Sequence, residues 1–328
     1  MLLTPTPAAL LDQQAKVLRT QLDGVYDGRV DAVHDARVAT RRIRELLSLA
    51  PGVRGGDAHD DLAEAYKEVG RALGRVRDID VQIGLIRDLE RHAPQTAPSL
   101  VLVRQDHERD RLAGMRRLIK TLERLDVDAV LGGITTRHPS GARNRLGSRV
   151  WRYHLRQLLR ERAVAAAEGI AHATGVYFPN RAHSARIAVK KLRYAAEISE
   201  ATGAAHLKSA IKSLRKGQEV LGEMHDRAAL SDTLARYVDR DHVSADHLAL
   251  TSQVLEGEIL DLHTRYLARR SALCDACAEI EGLSMRGSKT APALAVGGGV
   301  LLAGLAYLKN RTPQTKSPQF EVRSRVAV

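Results

Sequence analysis

Apolar residues recur at three- and four-residue spacing along almost the whole chain up to residue 282. That is the period of a helix with one buried face. No stretch of Val, Ile and aromatic residues alternates with period two, so no strand is expected. The pattern predicts helices over about 5–24, 30–49, 57–74, 77–92 and 97–124. A second set is predicted over about 144–173, 181–202, 205–223, 226–240 and 244–282. The intervals between them carry the residues that end helices: Pro51, Gly52, Gly55 and Gly56, then Pro94 and Pro98, then Gly175 and Pro179. The stretch 132–141, which begins with Gly132 and Gly133 and contains Pro139, reads as a midpoint linker. The fold class is therefore all-α. We expect a first helical bundle over 1–135, a second over 140–285, and a tail over 286–328.

The two halves resemble each other. His34 to Arg44 (HDARVATRRIR) aligned on His183 to Arg193 (HSARIAVKKLR) gives five identities in eleven positions, with four further conservative pairs. Leu73, Gly74 and Asp78 recur downstream as Leu221, Gly222 and Asp226. The offsets are 149 and 148 residues and the order is the same, which makes tandem duplication the better explanation than chance. Duplicated helical units imply two similar bundles related by an approximate twofold axis.

Charge sharpens this picture. Lys and Arg number 51 against 39 acidic residues, a formal charge of +12, so polyanionic partners are indicated: nucleic acid, an acidic membrane surface or a phosphate polymer. Within the first repeat, His34, Arg37, Arg41 and Arg44 fall within an arc of about 80° on one helix face, with Arg42 flanking. His183, Arg186, Lys190 and Arg193 repeat the stripe, flanked by Lys191. A solvated face usually mixes charge signs at i, i+4, and these faces do not. Aligned cations repel one another unless an anion neutralises them. Two such stripes facing each other would form a cationic channel suited to an extended anion. Arg offers paired donors to phosphate oxygens, whereas Lys acts as a compact charge. Lys67 and Arg71 in the first half, and Lys208, Lys212, Arg215 and Lys216 in the second, are candidates for a second basic wall.

The doubled H-x-x-R-x-x-x-R/K-R/K-x-R signature followed by L-G-x-x-x-D resembles the conserved histidine α-helical domain, CHAD. The resemblance covers roughly residues 5–282, and the Arg77-Asp78-Ile79-Asp80-Val81 run adds to the first copy. It implies two helical bundles around a basic pore that binds inorganic polyphosphate, often with targeting to polyphosphate granules in the cytoplasm. It maps the two stripes onto the binding positions and implies no cofactor and no catalysis. The second copy departs from the pattern, because His225-Asp226 is not followed by Ile-Asp-Val.

Other chemistry is less well supported. Glu256 and Glu258 approach the Glu-x-Glu-x-Lys mark of a triphosphate-hydrolysing barrel, but the lysine is missing and the segment is helical. A metal-dependent phosphohydrolase is thus a weak alternative, as is a metal between His34 and His183, which cations surround. Asp78, Asp80 and Asp226 are expected to orient arginines or cap helices. Cys274 and Cys277 form a lone C-x-x-C, and two cysteines exclude a disulfide framework. Arg145, Arg149, Arg152, Arg156 and Arg160 form a further basic face, read as solvated. Nucleic acid is the main rival ligand. Aromatic residues make up only 3% of the chain, which leaves little on which to stack bases, and no helix-turn-helix signature appears. The first ten residues lack a basic leader and do not read as a secretory signal. Residues 291–308 are 18 residues without a charge, bracketed by Lys289 and Lys309. Such a stretch is just long enough for a hydrocarbon core of about 30 Å. A membrane tail anchor and a packed or loosely ordered apolar tail both remain open. Residues 310–328 read as disordered.

Overall fold

Thr6 starts the first helix: its hydroxyl accepts from the Ala9 N–H at 3.2 Å, and Pro7 occupies the first position, where no backbone donor is needed. The computed structural model describes residues 5–49, 57–137, 145–176, 179–238 and 245–286. Among them are nine α-helices and no strand. They are α1 (Pro7–Tyr26), α2 (Val30–Leu49), α3 (Asp57–His92), α4 (Ala97–Arg124), α5 (Val127–Arg137), α6 (Arg145–His172), α7 (Pro179–Ala201), α8 (Lys208–Val238) and α9 (Ala245–Arg286). A single 3₁₀ turn at Pro94–Thr96 joins α3 to α4.

Turn chemistry sets the connections. Gly28, with φ of 74°, reverses the chain between α1 and α2, and Gly203, at 64°, ends α7. Asp126 adopts φ of 44° between α4 and α5, and its carboxylate caps α5 by accepting from the Ala129 N–H at 3.2 Å. Neighbouring helices then pack in sequence: α1 with α2, α2 with α3, α3 with α4, and again α6 with α7, α7 with α8, α8 with α9. Between the halves, α2 meets α7 and α3 meets α8, so helices at equivalent places in the repeat touch each other.

One hydrophobic core runs through both halves, from Leu11, Leu18 and Ile43 to Leu155, Leu192 and Leu273. A smaller core lies at the far ends of the long helices, built from Ile86 and Leu89 of α3, Leu100 and Val103 of α4, Leu230 and Leu234 of α8, and Leu255 of α9.

Three expectations need correction. The breaks expected near 75–76 and 224–225 do not exist, because α3 and α8 pass through them as single helices of 36 and 31 residues. Gly74 and Gly222 each disfavour a helix by about 1 kcal/mol, but buried residues continue on both sides. Val69, Leu73, Val76 and Ile83 keep the stripe unbroken in α3, as Leu214, Leu221, Met224 and Leu230 do in α8. Packing outweighs local propensity there. The stretch expected as a midpoint linker is helical up to Arg137, where α5 ends. No helix among the described residues is long and apolar enough to cross a membrane. Residues 291–308, and with them the anchor question, lie outside the described residues.

Candidate anion-binding groove

The stripes are raised on α2 and α7 by the helical period itself. Ala32, Ala36, Ala39 and Ile43 are buried on one side of α2, and Ala185, Val189, Leu192 and Ala196 on one side of α7. That burial leaves the cationic residues facing outward from the core. Because α2 packs on α7, the two stripes confront each other. Arg41 reaches across and donates from Nη1 to the Tyr194 hydroxyl at 2.6 Å. The Arg41 guanidinium also lies 5.5 Å from the Tyr194 ring centre, and that of Arg193 lies 4.5 Å from it, both within cation–π range.

The electrostatics record the crowding. Burial, then Arg41, Arg186 and Arg37, lower the Lys190 ammonium to about 8. Burial lowers Arg186 from its ordinary value, and Arg41 and Arg37 oppose its charge while Asp226 and Asp78 support it. Arg37 is lowered by burial in the same way, and its Nη1 donates to Asp78 at 3.0 Å. Among the described residues, no carboxylate forms an ion pair with Arg41, Arg186 or Lys190, and Arg186 Nε is buried without a partner. Burial and neighbouring cations also push both stripe histidines below the usual range: Arg77 is the nearest such influence on His34, and Arg186 on His183. In the free protein they therefore charge only at more acid pH than an ordinary histidine.

Equivalent positions do equivalent work in the two copies. Arg77 stands beside His34, and its counterpart at the repeat offset, His225, stacks on His183 with ring centres 4.8 Å apart. Asp78 binds Arg37, and its counterpart Asp226 supports Arg186. Gly70 lies under Arg44, where a Cβ would come 3.6 Å from the guanidinium, and its counterpart Gln218 accepts from Arg193 Nε at 2.8 Å.

The remaining candidate residues are placed less uniformly. Arg44 is exposed and close enough to Glu64 to lower its carboxyl. Lys67 and Arg71 both pair with Glu64 on their own helix, at 2.7 and 3.6 Å, so that part of the second wall is neutralised locally. Arg42 and Arg215 turn toward Glu197, at 3.9 and 3.5 Å. Lys191 is exposed beside the stripe, and Lys208, Lys212 and Lys216 are exposed on α8. Of the further basic face, Arg152 and Arg160 are exposed, and the side chains of Arg145 and Arg149 lie outside the described ones.

Asp80 is buried and tied to Arg111, which also donates to the Gly28 carbonyl at 2.7 Å, so it braces α3 against α4. Among the described residues, no group of three His, Cys, Asp or Glu side chains is arranged to hold a metal. Cys277 is buried and its thiol is pushed up to about 12, away from the thiolate that redox or metal chemistry requires. Glu258 binds Arg227 and His92, on neighbouring helices. Tyr194, Glu197, Gln218 and Arg77 were not anticipated as site residues, although the repeat offset points from Asp78 and His225 to Arg77.

An all-helical protein with two cationic stripes set face to face is the class that fold and site define. The chain belongs to the CHAD domain family, whose model matches residues 9–235. The fold is similar to that in the crystal structure of the CHAD domain from the plant Ricinus communis, with a TM-score of 0.59 and 19% identity over 83% of this chain and 90% of that one. It is also similar to PptA from Streptomyces chartreusis, with a TM-score of 0.55 and 16% identity over 82% of this chain and 97% of that one. No curated protein matches the sequence.

Proposed function

We propose that the groove binds inorganic polyphosphate without chemical turnover, and that the protein associates with cytoplasmic polyphosphate granules through it. The observation that carries this reading is the concentration of Arg37, Arg41, Arg186 and Lys190 at the α2–α7 contact, strong enough to bring Lys190 down to about 8. A polyanion relieves that repulsion and supplies acceptors to Arg186 Nε. Polyphosphate carries a charge at every repeating unit and needs no base stacking, which suits a groove with Tyr194 as its aromatic residue. Membership in the CHAD family supports the same ligand.

The test is binding of long-chain polyphosphate in competition with duplex DNA near physiological salt. The comparison is a folded variant carrying Arg37→Ala, Arg41→Ala, Arg186→Ala and Lys190→Ala. Tight binding that DNA does not displace, and that the variant loses, is the expected result. Equal displacement by DNA, or an unaffected variant, would reduce the stripes to a generic basic surface. Incubation with Mg²⁺ or Mn²⁺ should leave polyphosphate chain length unchanged on a gel.

A further inference from the structure

Beside the groove, and separate from its stripes, α1, α2, α7 and α8 enclose a cavity of about 350 Å³, within the range of small-molecule sites. Its walls are of two kinds. Leu10, Leu46 and Ile198 give it an apolar lining, while Arg42 and Arg215 supply cations to it. Gln14 also lines it, and it is only 8% exposed, with a side-chain carbonyl that has no hydrogen-bond partner. A buried acceptor left unpaired is unfavourable, so it calls for a donor within the cavity.

The cations are loosely held. Arg42 and Arg215 approach Glu197 only at 3.9 and 3.5 Å, both longer than a good charge-assisted hydrogen bond, and Glu197 is already bound by Arg193. Both arginine side chains are about half exposed, at 45% and 59%. The other carboxylate on the wall, Glu45, is paired with Arg162 at 2.6 Å. The two acids are thus neutralised by residues outside the cavity, and the two arginines keep donors for a ligand.

We propose that this cavity binds a purine nucleoside monophosphate whose ring carries an exocyclic amine. Arg42 and Arg215 hold the phosphate, the ring lies against Leu10, Leu46 and Ile198, and the amine donates to Gln14. Polyphosphate does not satisfy this site: it has no apolar part for the lining and no N–H for Gln14. The inference is independent of the polyphosphate reading and survives its failure.

Calorimetric titration of the full chain with adenosine monophosphate, adenosine, orthophosphate and tripolyphosphate tests it. Adenosine monophosphate should bind, with the other three at least about tenfold weaker, because each lacks one of the required contacts. Purine riboside monophosphate, without the amine, should also bind about tenfold more weakly, and Gln14→Leu should abolish that preference. Ala201→Trp places a ring at the cavity from an exposed position near the end of α7, where folding is not at risk, and should remove nucleotide binding while leaving polyphosphate binding intact. The Arg37→Ala, Arg186→Ala double variant should show the converse. Equal affinity for orthophosphate and adenosine monophosphate, or nucleotide binding unchanged by Ala201→Trp, would overturn the proposal.

Discussion

Lys190 concentrates the energetic problem of the groove in one side chain. Its folded value of about 8 lies below the roughly 10.4 of an unfolded lysine, so the unfolded chain binds its proton more tightly. Below pH 8 the residue opposes folding in full, and that penalty fades as pH rises from about 8 toward 10.4. Lys190→Met should therefore raise the stability of the free protein at pH 7. Discounted for the residue's partial exposure, the gain is about 1 kcal/mol, visible as a melting point higher by a few degrees. The same variant should bind polyphosphate about tenfold more weakly, a separation of stability from function. A bound polyanion favours the charged amine, so wild-type affinity should fall as pH rises above 8, and Lys190→Met should flatten that slope. Tyr194 offers a milder probe. Tyr194→Phe keeps the ring and deletes the acceptor of Arg41, which should weaken polyphosphate binding about fivefold by freeing the guanidinium from its fixed pose. A Tyr194→Phe protein with unchanged affinity would mean that the hydroxyl does not position Arg41.

At the scale of the element, glycines in α8 separate packing from propensity. A Cβ at Gly217 would stand 2.5 Å from Leu273 of α9, whereas at Gly222 it would meet nothing within 4 Å. Gly217→Ala should cost about 1–3 kcal/mol by overpacking. Gly222→Ala should instead stabilise by about 0.5–1 kcal/mol, because alanine favours the helix and nothing resists it. Thermal melts of the two variants should move in opposite directions. The same glycines explain where reading the sequence fell short. A glycine in a charged stretch looks like a helix end, and Gly74 and Gly222 were read that way. Only the third dimension shows that Leu73 and Val76, or Leu221 and Met224, carry the buried stripe past the gap. The all-α class and most helix starts were legible because proline, glycine and the apolar period agree there. Helix α5 was missed because Gly132 and Gly133 masked a short segment anchored by the buried Val127 and Leu131.

For the whole molecule, the stripe spacing was legible because duplication printed it twice. What the spacing could not supply was the partner of each cation, since Tyr194 and Glu197 align with Glu45 and Ser48 in the first copy and so carry no repeat signal. Polyphosphate affinity should fall steeply between low and physiological salt, and removing the four stripe cations should flatten that dependence, as a salt titration would reveal. The helices α3 and α8 also run without interruption from the groove to the smaller core around Ile86, Leu89, Leu230 and Leu234. Each therefore joins a ligand-facing half to a remote half through continuous backbone. Amide hydrogen exchange along α3 then contains its own reference: polyphosphate should slow deuterium uptake around residues 70–78 and leave residues 83–92 at their unliganded rate. A single helix would report both occupancy of the groove and the unaltered breathing of the distant core.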